Sequence, residues 1–250
     1  MKISSRIEYK YPCDHNQADV VRDILLDSPM WRFDPHCSSG NPYWVSSLYW
    51  DTQEMVSYSD SINGEYTKAK MRLRAYFSPT HKPFSVIKAE VKSRLDKICD
   101  KASLSKTLSE IDLHDFRHCF SEDLHMFFRQ RCKSYKMQPL FPVTVVMYER
   151  LGFVHLDQKS RLTIDRNIMA LPPKLFFQSF EYIQPSQNFQ CVVELKDCNL
   201  KDAEMEHIAR ALSTPRQKFS KYCQAVDHLQ ATKAWVKHEQ ASVRPFGAKS

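Results

Sequence analysis

The sequence predicts a single α+β domain: an antiparallel sheet with helices at its periphery. Three observations carry this. Six segments alternate charged and apolar residues at every second position, the period of a half-buried strand. Four others place apolar residues at helical spacing. The 250 residues, 42% apolar with 15 Phe, 11 Tyr and 4 Trp, can fill a sizeable core. No run approaches the roughly 18 apolar residues of a membrane helix.

The elements follow in order. Residues 3–11 alternate as a strand. Asp14 or Asn16 then caps a helix carrying Val20, Val21, Ile24 and Leu25, which ends near Ser28 and Pro29. A strand follows over 43–51. Residues 52–67 are polar, and Asn63-Gly64 within them is a hairpin-type turn signal. Strands at 68–77 and 84–94 flank the turn SPTHKP. A helix is expected over 121–135, with Leu124, Phe127, Phe128 and Arg131 in one arc. Strand signals return at 142–151, 160–166 and 189–197, and helices at 202–212 and 220–235 close the domain. Residues 1–235 read as this one domain and 236–250 as a flexible C-terminal tail.

Composition narrows the function classes. The opening MKISSRIEYKYP is charged where a signal peptide needs an apolar stretch. Eight scattered cysteines form no CxxC pair and have no zinc-ligand spacing, so reduced thiols in a cytoplasmic protein are expected. Lys and Arg number 36 against 29 Asp and Glu, and the net charge of +7 favours anionic partners.

Strand parity sharpens that preference. Lys70, Arg72, Arg74 and Tyr76 share one face, opposite Ala69, Met71, Leu73 and Ala75. Lys88, Glu90, Lys92 and Arg94 oppose Ile87, Ala89 and Val91. The same pattern sets Glu8 with Lys10, Tyr148 with Arg150, Arg161 with Thr163 and Asp165, and Glu194 with Lys196. For any one strand a solvated outer face explains this. Repetition over six strands, with Arg or Lys every time, is less ordinary. Were the sheet to close, the charged face would become a lumen whose excess of cations must hold a polyanion, since unpaired buried charge is costly. The few carboxylates would suit Mg or Mn, which bridge one or two carboxylates to phosphate oxygens. Alternation alone leaves closed and open sheets both standing.

The segments RIEYKY (6–11), SLYWDT (47–52), KMRLRAY (70–76), AEVKSR (89–94), YER (148–150), RLTID (161–165), VVELK (192–196) and SKYCQA (220–225) occur in that order. Together they resemble the VTC-type polyphosphate polymerase domain, a branch of the CYTH or triphosphate tunnel metalloenzyme superfamily, over residues 3 to about 228. One glutamate before Lys10, where the wider superfamily has E-x-E-x-K, turns the resemblance towards the VTC branch. The resemblance implies a closed antiparallel eight-stranded β-barrel around a basic tunnel. It implies phosphate binding by Lys10, Arg72, Arg74, Lys92, Lys101, Arg150, Arg161, Lys196, Lys218 and Lys221, with Lys97 as the alternative to Lys101. Catalysis would rest on Arg72, Arg74, Lys101, Arg150, Arg161 and Lys221. Mn²⁺ or Mg²⁺ would sit on Glu194, with Glu8 and Glu90 as further candidate ligands.

The implied activity is transfer of the ATP γ-phosphoryl group to a growing polyphosphate chain. The alternatives are a hydrolase of triphosphate or nucleoside triphosphate, and a non-catalytic polyphosphate-binding module. Partners would be ATP, triphosphate and inorganic polyphosphate, not duplex nucleic acid. Without an SPX-type region or membrane segment, the chain is similar to a stand-alone prokaryotic version, and a membrane-protein partner in the cell is a further expectation. Asp51 reads as a turn or cap residue. His114, His118 and His125 read as structural or exposed, and Cys191 and Cys198 as packing residues. Tyr148 and Tyr222 read as core tyrosines, with adenine stacking as the alternative.

Overall fold

A computed structural model describes residues 7–37, 40–78, 86–95, 98–107, 126–128, 130, 138–157, 159–176, 191–197 and 202–231. Its elements are β1 (Ile7–Cys13), α1 (His15–Asp27), β2 (Trp31–Phe33), β3 (Tyr43–Asp51), α2 (Val56–Asn63), β4 (Thr67–Phe77), β5 (Val86–Leu95), β6 (Ile98–Thr107), β7 (Phe141–His155), β8 (Arg161–Leu171), β9 (Cys191–Asp197), α3 (Asp202–Leu212) and α4 (Lys221–Ala231). The strands make one antiparallel sheet in the order β1-β9-β8-β7-β3-β4-β5-β6, with β2 added beside β7. The α+β class is as the alternation predicts.

The sheet is rolled. β1 and β5 stand six strand spacings apart along that order, roughly 29 Å in a flat sheet. Yet Lys92 Nζ on β5 lies 2.8 Å from Glu8 Oε2 on β1. Rolling does not complete a barrel, however. Among the described residues no ladder joins β1 to β6, so the expected closed eight-stranded barrel gives way to an open, rolled sheet of nine strands. The outer edge of β1 is instead taken by the segment before α4, whose Gln217 N–H donates to the Lys10 carbonyl at 2.9 Å. Pro12, two residues on, turns its missing N–H towards that same outer side, where no ladder needs it.

Local chemistry explains several boundaries. Asp14 caps α1 through a reciprocal box with Gln17: its carboxylate accepts the Gln17 N–H at 2.8 Å, and the Gln17 amide oxygen accepts the Asp14 N–H at 3.0 Å. Ala18, Val21 and Leu25 are buried, whereas Val20 of the expected stripe faces solvent. Asn63-Gly64 turns no hairpin. It ends α2, with Gly64 in the left-handed region at φ +75° and donating its N–H to the Asp60 carbonyl. A polar sequence masked that helix, and the small polar residues of β6 masked that strand. Within the expected 121–135 helix, 126–128 and 130 are helical and Phe128 is buried. The remainder of it, and the tail 236–250, lie outside the described residues.

The apolar outer face is covered in two places. Leu48, Met71, Leu73, Ile87 and Met147 pack under Phe128 and Phe176. Leu162, Ile164, Val193 and Leu195 pack under α1 and α3. By contrast α4 lies inside the roll. Its Tyr222, Val226 and Leu229 join Val45, Val146, Ile168 and Val192, residues on the same face as the charges. That helix therefore plugs one end of the charged trough instead of lying at the periphery.

One irregularity keeps the inner face continuous. The β7–β8 register shifts between Met147 and Glu149, and Asn167 takes φ +50°. Before this bulge Arg161, Thr163 and Asp165 point inward; after it Ile168 and Ala170 do.

Asp51 joins α2 and α4 to the sheet. Fully buried, it accepts N–H bonds from Thr52 (2.8 Å), Ser57 (2.8 Å) and Tyr58 (2.9 Å), and the Tyr222 hydroxyl at 2.6 Å. The cap role read from sequence thus holds, with a tether to α4 added. Asp51→Ala is expected to cost about 3 kcal/mol, from a lost cap and buried donors left unpaired. Urea unfolding monitored by circular dichroism measures this; a loss below about 1 kcal/mol would show that water replaces the carboxylate.

Candidate functional site

The ladder register assembles the site. One rung runs Tyr49, Arg72, Glu90, Ser103; its neighbours run Ser47, Arg74, Lys88, Ser105 and Lys70, Lys92, Lys101. Across the roll, Glu8, Lys196 and Arg161 form one rung and Lys10, Glu194 and Thr163 the next, and Asp165 lies opposite Arg150. Paired residues of antiparallel strands share a face, so all these side chains line one trough. Its cations outnumber its carboxylates more than two to one.

The carboxylates organise the cations into three groups. Glu90, 1% exposed, meets Arg72 Nε and Nη2 at 2.7 Å, Lys101 Nζ at 2.5 Å and Arg74 Nη1 at 3.6 Å. Burial pushes its pKa up, but the charges of Arg72, Arg74 and Lys101 outweigh this and hold it well below the usual carboxylate range. Arg72 also donates to the Tyr49 hydroxyl at 3.0 Å, and Arg74 to Ser47 Oγ at 3.3 Å.

Asp165 is completely buried and takes a two-pronged bond from Arg150, Nε at 2.7 Å and Nη2 at 2.8 Å, plus Lys221 Nζ at 2.6 Å. Both cations lie over the Tyr148 ring, at 5.1 and 4.9 Å from its centroid. Burial again opposes ionisation, and Arg150 and Lys221 overcome it.

The third group differs in kind. Glu194, 6% exposed, holds Lys196 Nζ at 3.0 Å. The Glu8 carboxyl lies within hydrogen-bonding reach of the Glu194 carboxyl while meeting Lys92 at 2.8 Å and Lys10 at 3.4 Å. Burial raises the Glu194 pKa, yet Lys196 and Lys10 pull it well below its ordinary value. Lys10 also donates to the Phe219 carbonyl at 3.1 Å.

Eight of the expected basic residues therefore converge: Lys10, Arg72, Arg74, Lys92, Lys101, Arg150, Lys196 and Lys221. Arg161 shares their face but is exposed at the end away from α4. Lys218 is exposed on the segment before α4, where its neighbours Phe219 and Ser220, not Lys218, receive Lys10 and Lys70. For a hard divalent ion, Glu194 and Glu8 offer converging carboxylate oxygens, the donor chemistry that Mg²⁺ or Mn²⁺ requires. Glu90 does not fit that role, because its two oxygens are already taken by three cations. Among the described residues no group of three or more His, Cys, Asp or Glu is poised for a metal. Phosphate oxygens and water would complete the shell.

Some features escaped the sequence. Asp165 had the right parity, but its partners emerge only from the register. Lys70 donates to Ser220 Oγ at 2.8 Å, and burial pulls its pKa below the ordinary lysine value. Tyr222 is a core tyrosine, stacked on Tyr49 at 4.9 Å, and Tyr148 lies buried beneath Arg150 and Lys221. Cys191 packs 3.3 Å from His15 Nδ1, with its thiol pushed by burial to about 11. Lys97, His114, His118, His125 and Cys198 lie outside the described residues.

No curated protein matches the chain. Its fold is similar to that of the PH1819 protein from Pyrococcus horikoshii, at 11% identity and a TM-score of 0.48, covering 89% of this chain and 99% of the other. Among the described residues no helix is long and apolar enough to cross a membrane. A family model, the VTC domain, matches residues 5–230, most of the strands, helices and charged groups above. The chain thus belongs to the VTC domain family, a family associated with polyphosphate chemistry.

Proposed function

We propose that this protein is a metal-dependent polyphosphate polymerase, transferring the ATP γ-phosphoryl group to a growing polyphosphate chain. The observation that carries the reading is the trough itself: one continuous face on which cations outnumber carboxylates, in a chain of the VTC family. Such an excess suits a flexible polyanion, whose many oxygens can meet cations on several strands at once.

The roles follow from the three groups. Glu90 and Asp165 position Arg72, Arg74, Lys101, Arg150 and Lys221, which neutralise the triphosphate and the developing charge. Lys10, Lys92 and Lys196, with Arg161 at the exposed end, guide the acceptor chain. Glu194, with Glu8, would hold the divalent ion, which would supply charge neutralisation beside the phosphates. The acceptor's terminal oxygen attacks in line, and no covalent protein nucleophile is required. Localisation in the cytoplasm and coupling to a membrane protein belong to this proposal.

Incubation with ATP and Mn²⁺ should yield a long polymer, resolved on gels; free phosphate alone would indicate a hydrolase, and no product a binding module. Glu194→Gln should lower metal-dependent turnover by at least about 100-fold, near 2.7 kcal/mol at the transition state, while triphosphate still binds. Full activity in a folded Glu194→Gln protein would sink the metal assignment.

Tripolyphosphate should also raise the melting temperature far more than equimolar monophosphate. Stabilisation reaches about 2.7 kcal/mol at a hundredfold excess over Kd and should weaken with added salt. Thermal shifts at constant ionic strength make the comparison. Equal protection by duplex DNA would place the operative charge on an outer surface.

A further inference from the structure

The trough is plugged by α4 at one end, and the other end carries aromatic rings that the proposed chemistry does not use. Along β4 the inward residues run Lys70, Arg72, Arg74, Tyr76; Lys70 bonds Ser220 just before α4, so Tyr76 lies towards the other end, one inward step beyond Arg74. A short helical turn, Pro35–Cys37, brings His36 beside it. That turn is fixed on β7: the Asp34 N–H donates to the Gly152 carbonyl at 2.8 Å, and the Gly152 N–H meets Cys37 Sγ at 3.3 Å. A Cβ at position 152 would come within 2.2 Å of the Asp34 carboxylate, so glycine is what lets the turn sit there. The His36 ring lies nearly parallel to Tyr76, 8° apart with centroids 6.2 Å apart, and 5.5 Å from Tyr43. Lys88 Nζ stands 5.5 Å from the centre of the Tyr76 ring. Tyr43 is buried and supports the group, Tyr76 is half-buried and His36 is exposed, so ring surface is presented to solvent at the mouth.

We infer that this rim, His36 and Tyr76 backed by Tyr43 and Lys88, is a nucleobase subsite for the nucleoside triphosphate donor. The inference rests on the nucleotide-donor reading above. With the triphosphate on Arg72 and Arg74, the base must leave the trough on the side not plugged by α4. Tyr76 stands two residues from Arg74, about 7 Å along the strand, which is the reach of a ribose. A base stacks on an aromatic face whatever its edge, and Lys88 adds positive charge near the α-phosphate. The rim therefore ranks donors by ring area: ATP and GTP alike, CTP and UTP more weakly.

Calorimetric titration of the full chain with ATP, ribose 5-triphosphate and tripolyphosphate tests this. The wild type should bind ATP about tenfold tighter than ribose 5-triphosphate. Tyr76→Ala should erase that preference and raise the KM for ATP by a similar factor, while its tripolyphosphate affinity changes less than twofold. Tyr76→Phe, which keeps the ring, should behave as wild type. Tripolyphosphate binding by each variant reports that it folds. Equal wild-type affinity for ATP and ribose 5-triphosphate overturns the subsite, even if Tyr76→Ala cannot be prepared. Failure of the wild type to bind tripolyphosphate at all overturns the donor reading itself.

Discussion

Gathering many like charges, most of them partly withdrawn from water, on one side of a sheet is the constraint on which this molecule depends. Each guanidinium or ammonium withdrawn from water costs several kcal/mol unless it is paired. Three deeply buried carboxylates meet that demand: Glu90 and Asp165 touch cations from other strands and from α4, and Glu194 touches Lys196 on its own strand. Pairing is incomplete by design of the composition: too few acids serve too many bases. The folded chain therefore retains a positive potential that only an external anion neutralises. Stability and ligand preference are in this sense one property.

The same constraint explains where the helices go. α1 and α3 need only an apolar surface and find it outside the roll. α4 must satisfy both demands at once. Its first residue, Lys221, reaches Asp165, while Tyr222, one residue later, is apolar enough to be buried and polar enough to bond Asp51. Few other side chains could do the second task, because the site needs a ring that stacks on Tyr49 and a hydroxyl at its far end.

Much of this was legible in the residues themselves. Period-two alternation gave the inward set on β4, β5, β7, β8 and β9 correctly, because a half-buried strand writes its faces into its sequence. Asp14 and the break at Ser28 marked α1 as well. What stayed hidden depends on contacts between distant segments. Parity put Asp165 on the charged face, but its pairing with Arg150 and Lys221 is a matter of register. Closure was what the family resemblance implied, while alternation alone left it open; the Gln217–Lys10 bond on the edge of β1 has no trace in either segment alone. Asn63-Gly64 misled because a left-handed glycine ends helices as readily as it turns hairpins.

The bulge at Asn167 has a consequence for how such a chain can change over evolutionary time. It acts as a phase marker in β8: the residues before it are read inward on odd numbers and those after it on even numbers. Straightening the strand there with no residue lost would turn Ile168 and Ala170 away from α4 and present Met169 and Leu171 to it. Deleting Asn167 itself would keep Ile168 and Ala170 inward, because regular alternation from Asp165 then reaches them. Loss of the left-handed residue without loss of length is therefore the change that this strand absorbs least.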